Sequence, residues 1–136
     1  MKENLKMSET GVECDDGTIV SALFMEIGMN PSLQGFDYLK DAVLVYKKNK
    51  GAMKSICKEV AEKNNVAVVK VERSIRFAVN YVQDQGNLKR LNGILGIEYV
   101  KQGITISTKE FIALIAEFVN NDYFRNEILI KNLKNL

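Results

Sequence analysis

The sequence contains no histidine and no tryptophan, a single proline and only two cysteines among its 136 residues. Because histidine is the commonest general base at neutral pH, its absence excludes Ser-His and Cys-His nucleophile pairs. Cys14 and Cys57 form no CxxC pair and have no histidine partner, which excludes a zinc site. We expect Cys57 to be a small core residue. No glycine-rich phosphate loop is present. Catalysis by lysine and carboxylate side chains alone stays open, but no motif indicates it. The sequence therefore predicts a protein that is not an enzyme and has no cofactor.

Long hydrophobic runs are also missing. No stretch approaches the roughly 18 apolar residues that a membrane span needs. The first 16 residues carry five acidic residues and two lysines around no apolar core, which excludes a signal peptide. With 46% hydrophobic and 26% charged residues, the composition is typical of one globular domain of ordinary size. We therefore expect a soluble, cytoplasmic protein without membrane contacts.

The basic residues are concentrated in one part of the chain. Residues 47–76 hold nine basic and three acidic residues, a net charge of +6, whereas the whole chain carries +2. The first 46 residues have a net charge of −5. A local positive patch of this kind attracts phosphate backbones. An ordinary lysine-rich solvent surface would have the same composition, so the patch alone does not decide between the two.

Apolar residues at spacings of three and four predict an all-α fold of six to seven helices. The predicted helices cover residues 18–28, 36–48, 52–64, 68–85, 88–95 and 109–119, and the tail over 122–136 predicts one more amphipathic helix. In the second helix, Asp41 lies off the apolar stripe. Residues 97–106 predict a hairpin or an extended connection. Ser107 or Thr108, with Glu110, predicts the start of the following helix. We expect an acidic, flexible segment over residues 1–17, one domain over 18–120 and a helical tail over 121–136.

Residues 57–76 fit a helix-turn-helix motif, in which two helices cross steeply at a short turn. Ala61 supplies the small residue that the crossing needs. Asn65 follows four positions later, where a sharp turn favours glycine or asparagine because both adopt left-handed geometry at low cost. Val66, Val71 and Ile75 supply the apolar positions after it. Many unrelated helical hairpins meet some of these conditions, so the pattern needs support from the exposed side chains.

The outward side of the second helix carries groups that can read bases. If Val71 points inward, a rotation of about 100° per residue places on the opposite side Val69, Arg73, Arg76 and Asn80, with Lys70 and Glu72 on the flanks. Arginine can pair with a guanine edge, and glutamate can accept from cytosine. The candidate base-reading residues are Lys70, Glu72, Arg73 and Arg76, and the candidate phosphate contacts are Lys54, Lys58, Lys63 and Asn65. An ordinary solvent face with a Glu72–Arg76 pair is the alternative interpretation.

The sequence resembles the family of C-terminal DNA-binding effector domains of the sporulation response regulator, stage zero sporulation protein A, over about residues 19–119. The motifs that carry the resemblance are Glu26-Ile27-Gly28, Gly35-Phe36-Asp37-Tyr38-Leu39 with Ala42, Val71-Glu72-Arg73 with Ile75-Arg76, Gly86-Asn87, and Glu110-Phe111-Ile112-Ala113. The resemblance implies a six-helix fold, binding to a TGTCGAA-like DNA box and regulation of transcription. It also implies that Glu72, Arg73 and Arg76 lie on the DNA-facing helix, with Lys70 where the family carries arginine.

The sequence departs from the family pattern at several positions. Cys57-Lys58 replaces Tyr-Pro, Phe77 replaces histidine, and Val66-Ala67-Val68-Val69 replaces Thr-Thr-Ala-Ser at the start of the DNA-facing helix. The last change removes hydroxyls that could cap the helix or bind a phosphate. We expect no counterpart of the family's receiver domain, with its phosphorylated aspartate, because only an acidic segment of about 17 residues precedes the resemblance.

Two functions follow from these observations. The first is a sequence-specific DNA-binding regulator that acts without its own receiver domain, with homodimers on tandem sites restoring affinity. The alternative is an interaction module that has lost specific DNA binding and contacts the full-length regulator or RNA polymerase.

Overall fold

The computed structural model describes residues 15–95, 101, 105–122, 125–127 and 130. Within these residues the chain is helical and contains no strand. The helices are α1 (Asp16–Glu26), α2 (Gln34–Lys48), α3 (Met53–Asn64), α4 (Val68–Asp84), α5 (Arg90–Leu95) and α6 (Thr108–Asn120). The predicted all-α class is therefore confirmed, and each of the six helices predicted before the tail has a counterpart whose bounds differ by two residues or fewer at either end.

Two predicted segments are only partly covered. Most of the predicted hairpin or connection over residues 97–106 lies outside the described residues, and Thr105 and Ile106 are not helical. In the tail, Asp122, residues 125–127 and Ile130 are helical, as predicted, and the other tail residues lie outside the described part. None of the helices in that part is long and apolar enough to cross a membrane.

Side-chain caps fix the beginnings of α1 and α6. The Asp15 carboxylate accepts a hydrogen bond from the Thr18 backbone N–H at 2.9 Å, and this bond lowers the pKa of Asp15. Ser107 and Glu110 form a capping box: the Ser107 hydroxyl accepts from the Glu110 N–H at 3.1 Å, and the Glu110 carboxylate accepts from the Ser107 N–H at 2.7 Å. Ser107 is thus the capping residue of the two that the sequence offered. Such caps satisfy N–H groups that the first helical turn leaves unpaired.

Helix α2 lies at the centre of the molecule and packs against α1, α3, α4 and α6. Aromatic rings join three of these helices, since Phe24 of α1 lies 5.4 Å from Phe36 of α2 and 5.9 Å from Phe111 of α6, measured between ring centroids. Apolar side chains of α2 and α6, including Leu39, Val43 and Ile112, are fully buried. One core therefore supports all the long helices.

Glycines set the position of α4 on this core. A Cβ atom at Gly35 of α2 would overlap the carbonyl oxygen of Ser74 and lie 3.0 Å from the Ala78 Cβ, both in α4. At the end of α4, a Cβ on Gly86 would lie 2.5 Å from the Ile27 carbonyl oxygen, and the Asn87 N–H donates to that oxygen at 2.8 Å. The motifs Ile27-Gly28 and Gly86-Asn87, distant in sequence, thus meet. Both contacts hold α4 by its inner side and leave its outer side exposed.

Candidate nucleic-acid interface

Helices α3 and α4 form the predicted helix-turn-helix. Asn65 joins them with φ 54° and ψ 50°, and it is the single non-glycine residue with positive φ in the described part of the chain. The N–H groups of Asn65 and Val66 donate to the carbonyls of Glu62 and Ala61 at 3.3 and 3.0 Å. Ala61 is 2% exposed at the contact between the helices. The prediction of a left-handed asparagine at this turn is confirmed.

Helix α4 has one buried side and one exposed side. The buried side chains are those of Val71, Ile75, Ala78, Val79 and Val82, and they include Val71 and Ile75, the two apolar positions that the helix-turn-helix pattern predicted for this helix. Val68, the first residue of α4, is half-buried against the core. We call the opposite side the outer face of α4, defined by the exposed residues Val69, Lys70, Arg73, Arg76, Phe77 and Asn80. This face therefore combines three cationic side chains with two apolar ones.

Three of the four predicted base-reading residues lie on the outer face, and the fourth lies at its edge. Lys70, Arg73 and Arg76 are exposed, whereas Glu72 is half-buried. A half-open cavity of about 230 Å³ between α3, α4 and the start of α6 is lined by Met53, Cys57, Glu72, Ile75, Arg76 and Thr108. Glu72 and Arg76 thus flank the side of α4 that faces α3.

Cys57 lines this cavity, and its surroundings shift the pKa of its thiol. Cys57 is 2% exposed, so its expected role as a small core residue is confirmed. Burial raises the pKa of the Cys57 thiol, the Glu72 carboxylate raises it further, and the Arg76 guanidinium partly opposes both effects. A thiol with a raised pKa carries little thiolate at neutral pH, and thiolate is the reactive form. The side chain therefore serves packing rather than chemistry.

The predicted phosphate contacts differ in their surroundings. Lys54, Lys58 and Asn65 are exposed. Lys54 and Lys58 directly follow Met53 and Cys57, which line the cavity beside Arg76. These two lysines therefore lie on the N-terminal half of α3, the portion that lines a cavity together with Arg76.

Lys63 has an intramolecular partner. Its side chain is 62% exposed, but its ammonium nitrogen lies 2.9 Å from an Asp41 carboxylate oxygen. The other carboxylate oxygen of Asp41 accepts from the Asn64 side-chain amide at 3.0 Å. Asp41 lies off the apolar stripe of α2, yet it is only 9% exposed. The sequence pattern did not reveal this role, because the partners lie 22 and 23 positions away.

The first turn of α4 has no side-chain cap. The N-cap of α4 is Ala67, which makes no side-chain hydrogen bond to the first helical turn. The same holds for Ala52 at the N-cap of α3. The Lys70 N–H donates to the Ala67 carbonyl at 3.1 Å. The N–H groups of the first two helical residues, Val68 and Val69, have no acceptor within the helix, so the start of α4 presents donors that an external oxygen can accept.

Comparison with known families agrees with this architecture. The model for the family described as "Sporulation initiation factor Spo0A C terminal" matches residues 20–119, most of the chain. The matched segment runs from α1 to the end of α6 and includes the whole helix-turn-helix. It coincides with the stretch over which the motifs indicated a resemblance. The chain therefore belongs to the family of sporulation initiation factor Spo0A C-terminal domains, which are DNA-binding regulators of transcription rather than enzymes.

Proposed function

We propose that this protein regulates transcription by binding a specific DNA sequence with α4 in the major groove. The observation that carries the proposal is the exposure of Arg73 and Arg76 on one face of the second helix of a helix-turn-helix. A guanidinium can donate two parallel hydrogen bonds to the O6 and N7 atoms of guanine. Lys70 is the third cationic group of this face, and Glu72 at its edge can accept a hydrogen bond from a cytosine amino group.

Phosphate contacts would fix the register of α4 in the groove without reading sequence. Lys54 and Lys58 support this part of the proposal, because both are exposed on the portion of α3 that adjoins Arg76. The N–H groups at the uncapped start of α4 and the side chain of Asn65 are further donors for a phosphate oxygen. We expect a smaller contribution from Lys63, whose ammonium group already contacts Asp41.

The proposed target is a TGTCGAA-like box, and the proposed site of action is the nucleoid in the cytoplasm. A single domain is expected to bind one box weakly, and pairs of domains on tandem boxes to bind more tightly. We propose that this binding needs no phosphorylation of the chain. Asp15 caps α1 and Asp16 pairs with Lys47 and Arg125, so both aspartates already have structural roles.

Substitution of Arg73 tests the proposal. In gel-shift titrations of the unphosphorylated protein, we expect tighter binding to a TGTCGAA duplex than to a scrambled duplex. Arg73→Ala should cost about 1–3 kcal/mol on the TGTCGAA duplex and remove most of the discrimination. Arg73→Lys is the matched control, since it keeps the charge but not the paired donors; it should lose discrimination while retaining binding to scrambled DNA.

Two results of these titrations would contradict the proposal. Equal affinity of the unaltered protein for both duplexes at several salt concentrations would reject sequence-specific binding. Equal losses on both duplexes for Arg73→Ala would reject base reading by this residue.

A protein-interaction role is the second candidate, favoured by the aromatic side chain on the outer face of α4. Phe77 is 59% exposed, and its ring lies 6.4 Å from that of Tyr81. In this case the protein would bind the full-length regulator or RNA polymerase. Cross-linking to either partner should then survive the double substitution of Arg73 and Arg76 by alanine and be lost with Phe77→Ala.

A further inference from the structure

We propose that Val69 is a specificity-determining residue that contacts the 5-methyl group of a thymine; this inference rests on the proposed DNA binding by α4. Val69 lies in the first turn of α4 and is 52% exposed. Neighbouring apolar side chains at the start of α4 have protein contacts, since Val66 and Val68 pack against the core. Val69 instead presents its methyl groups to the outside, among cationic residues.

Helical geometry places Val69 beside the leading base-reading residue. Four residues correspond to a rotation of about 400° and a rise of about 6 Å, so Val69 lies one turn before Arg73 on the same row. The row continues through Phe77, about 12 Å beyond Val69. Residues near the N-terminus of the recognition helix are the ones that contact base edges in helix-turn-helix proteins. Val69 is therefore better placed than Phe77 to enter the groove.

The chemistry of the groove selects the partner. The thymine methyl is the apolar group that base edges present in the major groove, whereas adenine and cytosine present amino donors there. A valine can accept no hydrogen bond, so placing it over an amino group would leave a buried donor unpaired. Placing it over a methyl group buries apolar surface on both partners. We therefore expect Val69 to favour thymine and to disfavour adenine and cytosine.

The rest of the first turn strengthens this assignment. Residues 66–69 carry no polar side chain, and the N-cap Ala67 offers no side-chain hydrogen bond. Side chains of residues 66–69 can therefore read a base only by apolar contact, and Lys70 is the first polar side chain of α4. With Arg73 one turn away, and base pairs about 3.4 Å apart along the duplex, the thymine should lie one or two steps from the guanine that Arg73 reads.

Removal of a single methyl group tests the inference. Deoxyuridine differs from thymidine only by the missing 5-methyl, so each thymine of the TGTCGAA duplex is replaced in turn by deoxyuridine. At one position we expect the affinity of the unaltered protein to fall about fourfold, the effect of one buried methyl group. Val69→Ala should bind the thymine and deoxyuridine duplexes equally at that position, whereas Val69→Ile should keep the difference.

Phe77→Ala is the matched control, because it removes an exposed apolar side chain from the same helix and should leave the methyl effect unchanged. Specific binding without a methyl effect at any thymine would overturn the inference and leave the proposed function intact. So would a methyl effect that persists in Val69→Ala. Equal binding to TGTCGAA and scrambled duplexes would overturn both. Thermal unfolding shows whether each variant is folded. We expect all of them to fold, because Val69 and Phe77 are both exposed.

Discussion

At the residue scale, the lysines of α3 divide into two kinds. Lys58 is exposed and has a proposed role only on DNA, whereas Lys63 also pairs with the largely buried Asp41. We predict that Lys58→Ala leaves the free energy of unfolding within about 0.5 kcal/mol of its original value and weakens binding to all duplexes. It should also lower the slope of log affinity against log salt by about one.

Lys63→Ala should affect the free energy of unfolding more, and DNA binding less, than Lys58→Ala does. It leaves the Asp41 carboxylate, 11% exposed, without its cation, so we expect a loss of about 1 kcal/mol in the free energy of unfolding, reduced from the fully buried case by solvent at the lysine. Its effect on the salt slope should be smaller than that of Lys58→Ala. Urea unfolding and salt-dependent titration measure both quantities. A larger salt effect for Lys63 than for Lys58 would contradict this division.

Some features of the helix-turn-helix and its surroundings could be predicted from the sequence one residue at a time, and others could not. Asn65 and Ala61 were predictable because backbone geometry and close helix contact restrict the residue types allowed there. The buried side of α4 was predictable because exclusion from water repeats with the helical period. The burial of Asp41 was not predictable, because its partners lie on another helix and the spacing of apolar residues does not show which acidic side chains are paired.

At the element scale, the start of α4 is a point of low intrinsic stability. The side chain of its N-cap, Ala67, makes no hydrogen bond to the first turn, and the Lys70 N–H donates to the Ala67 carbonyl at 3.1 Å. We predict that Ala67→Ser raises the free energy of unfolding by about 1 kcal/mol, because a serine oxygen can accept from one of the N–H groups of that turn. Ala52→Ser at the uncapped start of α3 is the matched control and should give a gain of similar size in urea unfolding.

Serine and aspartate at position 67 should differ in their effect on DNA binding. Ala67→Asp is expected to stabilise the fold about as much as Ala67→Ser, but its charge would repel a phosphate near the start of α4. The aspartate variant should therefore bind every duplex more weakly than the serine variant, with the difference decreasing as salt rises. Equal binding of the two variants at low salt would indicate that no phosphate approaches this end of the helix.

The bounds of the helices follow from local signals, and their arrangement does not. Apolar spacing predicted the bounds of all six to within two residues, although α3 and α4 begin without a side-chain cap. The seating of α4 on α2 depends on the contact between Gly35 and the Ser74 backbone. Such a contact joins residues far apart in sequence. For the candidate site, helical periodicity with Val71 inward placed Arg73 and Arg76 on the outside, and the family resemblance implied that this side faces DNA.

At the scale of the whole molecule, one aspartate connects the two ends of the described chain. Asp16 at the start of α1 lies 2.9 Å from the Lys47 ammonium nitrogen of α2, and its other oxygen lies 2.6 Å from the Arg125 guanidinium. Arg125 also donates to the Val119 carbonyl at 3.2 Å. The domain limits expected at residues 18 and 120 stay a prediction, and these contacts cross both of them.

The pH dependence of stability tests this connection. Partial burial by itself would raise the pKa of Asp16, but the hydrogen bonds from Lys47 and Arg125 outweigh it and lower the pKa below the ordinary 3.8. A carboxyl whose pKa is lower in the folded state stabilises the fold above its unfolded pKa, and this contribution disappears as pH falls through the folded pKa. We predict that Asp16→Asn is less stable than the unaltered protein by a constant amount from pH 7 to about pH 5. Below the ordinary value of 3.8 the difference should shrink towards zero.

Urea unfolding at a series of pH values measures this difference directly. Lys47→Met removes one of the two cations and should lose part of the same pH-dependent stability, while Arg125→Met should lose another part and also release the tail from α1. A difference between Asp16→Asn and the unaltered protein that stays the same at pH 3 as at pH 6 would contradict the prediction. It would indicate that Asp16 stabilises the molecule through its position at the start of α1 and not through its charge pairs with Lys47 and Arg125.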